Sequence, residues 1–450
     1  MELLMSVFRQ LSLFGLLSLL LLSTVRADSN STIAIDSARL FDGEQVIEQA
    51  RMVIENDTIV AVGSQQEIAI PAQARHLTYA NRFIMPGLIA AHSHVGTVSG
   101  LEHGGDFYSR ETVMRDLAQF QRYGVVAVNA LGLNRPLFHE LRNEMRGSHH
   151  RGADLYGAGA GVGAVDGAPP EDRMGLTEDQ AERPATLAAA RLAVRQMHDA
   201  GIDMVKVWVD GMGGDVPTMP AEIYQAAFEE AQSLGLPSAA HIHYLDDAKG
   251  VVAAGVNVVA HGVRDTDVDQ EFIDLMLAGD VWYVPTININ EAEYIYAQHP
   301  EWLHDPFFTD SLSPELQQQL SDDSWREAVL AKSEKNRQSV NYNIKNLTKL
   351  HNAGVKIALG TDSGATALRI PGFAEHRELE LMVQAGMSPT AVLQAATANA
   401  AAMMQLPNRG RLAAGYQADF LVLSADPTFN ILASRQIVEV WRYGIQQEKF

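Results

Sequence analysis

Between residues 84 and 359, short apolar runs alternate with longer stretches of mixed polarity. The runs are Ile84–Ala91, Val125–Leu131, Ala153–Ala158, Met204–Val209, Ser238–Ile242, Val256–Ala260, Trp282–Ile287 and Lys356–Leu359. Each is too short for a helix and shows no polar face, which suits strands buried on both sides of a parallel sheet. The segments between them carry helical periodicity, as in Arg110–Arg122, Pro184–Ala200, Ala221–Leu234, Gln270–Ala278, Pro314–Ala353 and Pro389–Met404. Eight such strands with intervening helices predict an α/β chain built on a closed (β/α)8 TIM barrel.

The two ends of the chain follow a different period. Ile33–Phe41, Arg51–Asn56 and Thr58–Gly63 read as short strands separated by the turn pairs Asp42-Gly43 and Asn56-Asp57. Ala418–Leu423 and Ile437–Gly444 read the same way. Residues 28–82 and 409–450 are therefore expected to form one small β-sandwich domain, clamping a barrel domain over 83–408. Residues 1–27 stand apart from both. Arg9 precedes an apolar stretch from Leu11 to Leu22, and Val25-Arg26-Ala27 places small residues at a cleavage site. The stretch is short for a membrane span and is expected to be a signal peptide cut after Ala27. A periplasmic or secreted protein, free of the membrane once cleaved, is the expectation.

Composition narrows the function. The chain has 450 residues, 47% hydrophobic and 20% charged, as in a folded globular protein. Its formal net charge is −21. A basic nucleic-acid footprint is absent, and the balance weakly favours neutral or cationic small ligands. There is no cysteine, so disulfides, thiolate metal ligands and a cysteine nucleophile are all excluded. No Gly-x-Ser-x-Gly elbow occurs either, which disfavours a covalent acyl-enzyme.

The chemistry lies where the apolar runs stop. The first ends in His92-Ser-His94, and alternate residues of a strand face the same side. Two imidazoles converging there are half of a metal site. Four further runs end alike: Lys206 and Asp210 on the fourth, His241 and His243 on the fifth, His261 on the sixth and Asp362 on the eighth. Active sites of such barrels sit at the carboxyl ends of the strands. His103, His149 and His150 fall in loop or helix contexts and are expected to be solvated.

Pro86-Gly-Leu-Ile-Ala-Ala-His-Ser-His94, the strand-end His241 and His261, and Gly360-Thr-Asp-Ser-Gly364 resemble the amidohydrolase superfamily. The stretches Gly386–Ala401 and Gly410–Leu423 resemble its C-terminal signature. The resemblance is greatest to the imidazolonepropionase-like and prolidase-like dipeptidase branch. It implies that His92 and His94 bind one metal together with Asp362, and that His241 and His261 bind a second. Lys206 would be carboxylated and bridge the two. The ions would be zinc, with manganese, cobalt or nickel also suited to such ligands. His243 is an alternative ligand to His241 or a substrate contact, and Asp210 a candidate for gripping a cationic substrate group. The implied reaction is hydrolysis of an amide bond in a small substrate, such as a dipeptide or N-acyl amino acid, by a metal-bridging hydroxide. Asp362 would carry the proton. Cyclic amides or lactones are the alternative substrates, and an inactive metal-binding barrel the alternative class. A homo-oligomer is compatible with all of these.

Overall fold

The computed structural model describes residues 32–147 and 150–448. The expected signal peptide and His149 lie outside the described residues.

The chain opens with four strands: β1 (Thr32–Phe41), β2 (Val46–Glu55), β3 (Thr58–Ser64) and β4 (Arg75–Pro86). β2 pairs antiparallel with β1 and β3, and β4 pairs parallel with β1. Besides a two-residue hairpin at Val98–Ser99 and Glu102–His103, eight parallel strands follow: β5 (Leu88–Ser93), β6 (Val125–Ala130), β7 (Asp154–Gly157), β8 (Val205–Trp208), β9 (Ser238–His241), β10 (Val258–Ala260), β11 (Trp282–Val284) and β12 (Lys356–Ile357). They form a three-stranded sheet, β5-β6-β7, and a five-stranded sheet, β8 through β12, and every pairing within the two is parallel. Backbone bonds link the two sheets along both edges. Val162, just past β7, donates to the Lys206 carbonyl at 2.8 Å and accepts from Trp208 N–H at 3.1 Å. At the other edge Ala91 donates to the Leu359 carbonyl at 2.9 Å, and His94 donates to Ser363 at 2.7 Å.

The chain ends with β13 (Phe420–Leu423), β14 (Ile437–Arg442) and β15 (Ile445–Gln446). β13 pairs antiparallel with β4, so strands from both ends of the chain share one sheet of seven. Hydrogen bonding joins these strands in one continuous ladder, with a register shift where β1 meets β4, between Ser37 and Arg39.

Three expected elements are divided. Ile84–Ala91 is not one strand: Ile84 to Pro86 finish β4, and the barrel strand begins at Leu88. Gly87 makes the handover because a Cβ there would meet Val126 Cγ1 at 2.5 Å. Pro314–Ala353 is three helices, Pro314–Leu320, Asp323–Ala331 and Glu334–Asn352. Asp322 ends the first by capping the second, its carboxylate accepting from Ser324 N–H. Pro389–Met404 breaks at Thr397, whose hydroxyl turns back to the Leu393 carbonyl at 2.7 Å.

The bottom of the strand bundle is tied to the seven-stranded sheet by buried charge. Asp154, the first residue of β7, is fully enclosed and accepts from Arg409, from Arg442 Nη2 at 2.5 Å and from Tyr443 Oη at 2.7 Å. Arg409 also reaches Asp419. His150, expected in solvent, packs its ring here at 3.2 Å from Asp154 Oδ1. Burial pushes the Asp154 carboxyl up, but Arg409, His150 and Arg442 outweigh it and hold it well below 3.8. A depressed carboxylate stabilises the fold above its unfolded value and loses that contribution as pH falls through the folded value. We expect Asp154→Asn to cost about 3–5 kcal/mol at neutral pH, because two buried guanidinium groups lose their partner. Urea unfolding of both proteins measures this, and the gap should narrow below about pH 3.

Candidate metal centre

β5 ends in His92 and Ser93, with His94 next in the chain, so the pleat brings both rings to the same side. Asp362 follows β12 and lies opposite them. Its Oδ1 is 3.1 Å from His92 Nε2, 3.1 Å from His94 Nε2 and 4.0 Å from His261 Nε2. The His92 and His261 ring centroids are 4.5 Å apart. Three imidazoles from two parts of the chain thus face one carboxylate oxygen in a buried space. The ligand atoms of His92, His261 and Asp362 all lie within 4.8 Å of one another.

The donor set of this cluster suits a cation. His94 Nδ1 lies 3.2 Å from the Gly132 carbonyl, which can only accept, so Nδ1 carries the hydrogen. In the neutral ring, Nε2 then presents a lone pair to the Asp362 carboxylate, and two acceptors face each other. Burial lowers the His92 pKa to about 3, with the Lys206 charge adding to the effect, and burial also holds His261 well below 6.5. Burial pushes the Asp362 carboxyl up, but His92 and His94 outweigh it and keep it ionised. Neutral imidazoles and an anion aimed at one point are the donor set a divalent ion binds.

Lys206 comes in from β8. It is enclosed, its Nζ is 3.4 Å from His92 Nε2, and it forms no ion pair among the described residues. Burial lowers its pKa to about 7. Near neutral pH a substantial fraction is therefore free amine, the form that can add carbon dioxide.

His241 and His243 separate at the end of β9. The His241 ring centroid is 4.4 Å from that of His261, and its Nε2 is 3.1 Å from Asp210 Oδ2. Asp210 Oδ1 accepts from Met212 N–H at 2.6 Å. Its carboxylate is thus engaged on both oxygens. The His243 ring lies beside Tyr244, with centroids 4.6 Å apart, and has no hydrogen bond to the histidine cluster. Burial and the Arg264 charge lower its pKa to about 3.

Several supporting residues gave no local signal in the sequence. Arg369 Nη1 donates to Asp362 Oδ2 at 2.5 Å, which leaves Oδ1 as the free face. Thr286 Oγ1 lies 2.9 Å from His261 Nδ1 and orients that ring. Glu375 is enclosed and accepts from Thr361 Oγ1 at 2.5 Å, Ser363 Oγ at 2.7 Å and Gly372 N–H at 2.7 Å. Ser363 Oγ also lies 3.2 Å from Ser93 Oγ, from which it can accept. One carboxylate thus holds the residues on both sides of Asp362, and through them the residue between His92 and His94. A clue was present: Glu375 and Glu378 sit on the buried stripe of the helix Phe373–Gln384, where apolar residues are the rule. Backbone strain marks the same region, since His261 at φ 104°, Thr286 at 43° and Asp362 at 62° all lie in left-handed space.

The sequence profile of the amidohydrolase family matches residues 83–446. The chain belongs to the amidohydrolase family. Membership makes it a hydrolase of carbon–nitrogen bonds, a class that depends on metal, and implies a TIM barrel joined to a small domain. The chain is similar to ochratoxinase from Aspergillus niger, 25% identical over 442 residues, with 90% of this chain and 83% of the relative covered. Its structure is similar to that of a Xaa-Pro dipeptidase, with a TM-score of 0.74 and 23% identity over 93% of this chain and all of the other. It is also similar to a putative prolidase from Bifidobacterium longum, with a TM-score of 0.71, 25% identity, and 93% and 94% of the two chains covered. These relatives agree with the dipeptidase-like branch.

Glu375→Gln should weaken metal binding or activity about 10–100-fold, because an amide has one acceptor oxygen in place of two. Metal titration into the chelator-stripped protein reads this directly. Unchanged affinity and turnover would remove Glu375 from the support of the centre.

Proposed function

We propose that this amidohydrolase hydrolyses amide bonds in small substrates such as dipeptides or N-acyl amino acids, using two divalent ions held between the strand ends. The supporting observation is the convergence of His92, His94 and His261 on Asp362 Oδ1, with Lys206 Nζ at the rim of that space. His92, His94 and Asp362 would hold the first ion. His261 and His241 would hold the second once the His241 ring gives up Asp210, and a carboxylated Lys206 would join the two. Zinc is the first choice for this donor set, with manganese, cobalt and nickel also suited. The ions, when bound, supply a Lewis acid and a water acidic enough to ionise near neutral pH.

The chain's own residues supply the rest. Arg369 holds Asp362 Oδ2, so Oδ1 is positioned to take a proton from the attacking water and return it to the leaving nitrogen. Asp362 is held ionised near neutral pH against its burial. The strands' parallel direction brings these groups to one rim, and the bonds linking the two sheets at both edges support a closed barrel. The composition of residues 1–27 supports export before the enzyme acts.

Asp362→Asn should lower turnover on an N-acyl amino acid or dipeptide substrate by about 10²–10⁴-fold and leave the cooperative thermal transition in place. Turnover close to wild type in that variant would remove Asp362 from the proton-carrying role. Stripping the protein with a chelator should abolish activity, and zinc added with bicarbonate should restore it. Restoration by zinc in carbon-dioxide-free buffer to the same level would argue against carboxylation of Lys206.

A further inference from the structure

Arg264 lies three residues past His261, and only 5% of it is exposed. Its backbone N–H donates to the His243 carbonyl at 3.2 Å. Its Nη1 donates to the Ile242 carbonyl at 2.8 Å and to the Gly262 carbonyl at 3.0 Å. Those two carbonyls directly follow His241 and His261 in the chain. The guanidinium is therefore fixed between the ends of β9 and β10, on the side of the barrel where the metal ligands lie.

Half of its fork is unused. Nε is enclosed and has no acceptor, and Nη2 donates to no group among the described residues. No carboxylate oxygen of the described residues comes within 4.0 Å. Even half-buried arginines of the strand-end region are paired: Arg377 with Glu291 at 2.6 Å and Arg369 with Asp362 at 2.5 Å. The carboxylates whose charge reaches Arg264 are Asp210 and Asp362. Both are committed elsewhere, Asp210 to His241 and the Met212 N–H, and Asp362 to the imidazoles and Arg369. A guanidinium cannot shed its proton to escape burial. A strap between two strand ends would need only Nη1 and would need no charge. What remains is the Nε–Nη2 edge, whose two parallel N–H groups match the two oxygens of a carboxylate.

We propose that Arg264 receives a free carboxylate of the substrate on this edge. The enzyme is thereby selective for amides that carry one, such as dipeptides with a free C-terminus and N-acyl amino acids, over their carboxamide-capped counterparts. This rests on the amide-hydrolase reading above. A capped substrate leaves the fork unpaired in a buried site, which is the situation in which recognition of a missing polar group is strongest.

The test uses the metal-loaded mature protein with matched pairs: N-acetyl amino acids and dipeptides, each against its C-terminal carboxamide. Wild type should favour the acids by about 100-fold or more in kcat/KM. In Arg264→Met the acids should lose most of that advantage, chiefly through KM, while the carboxamides change severalfold at most. Arg264→Lys should recover part of the preference. Equal rates on acids and carboxamides in the wild type would overturn the assignment. So would a parallel loss on both classes in Arg264→Met that Arg264→Lys restores for both, since that marks a strap. Calorimetric binding to the Asp362→Asn protein separates this from the reaction itself. There the acids should bind at least about tenfold more tightly than the carboxamides, and adding Arg264→Met should erase the difference; equal binding would overturn the proposal. Selective binding of acids by a protein that cleaves no amide would uphold Arg264 and defeat the proposed reaction instead.

Discussion

Eight strands that run in one direction must place all their carboxyl ends on one rim, and the chemistry of this protein depends on that constraint. His92, Lys206, His241, His261 and Asp362 are separated in sequence by intervals of twenty to more than a hundred residues. Parallel pairing alone brings them within a few ångströms. The cost is electrostatic. Lone pairs and a carboxylate are pressed together in a space that excludes water, where repulsion is strong and a cation is strongly preferred. Groups behind the rim hold this arrangement in place: Gly132 fixes the His94 ring, Thr286 the His261 ring, and Glu375 the backbone on both sides of the carboxylate.

The strands that carry the ligands were legible in the sequence because a buried parallel strand is a near-continuous apolar run in which a polar residue is uncommon. A histidine or aspartate at the end of an apolar run therefore stands out, as at His261 after Val256–Ala260. The support was less legible. Glu375 and Arg369 act across the rim from a loop and helix after the last strand, and their roles depend on contacts with Ser93, Thr361 and Asp362 that no local spacing encodes. Fine side-chain direction was likewise hidden. The sequence places His241 and His243 two residues apart, so pleating alone would aim both inward. The strand ends at His241, and past it the alternation no longer holds.

Element boundaries went astray where two structures share one apolar run. Ile84 to Ala91 is uniformly hydrophobic because its first part lies in one sheet and its second in another, and both are buried. Only Pro86-Gly87 marks the change. The helix breaks at Asp322 and Thr397 follow a common rule: a short polar side chain bonded to its own backbone ends a run that periodicity alone would continue.

The pairing of β13 with β4 also bears on how the molecule is made. Phe420 lies against Pro86, more than three hundred residues earlier in the chain. During synthesis from the N-terminus, β1 to β4 emerge first and expose an unpaired edge until nearly the whole barrel has left the ribosome. Contacts of such long sequence separation form late and slowly. A strand edge waiting that long is a site for association with other chains. Arg82, half-buried near the end of β4, places a charge beside that waiting edge, which is a common defence against such contacts.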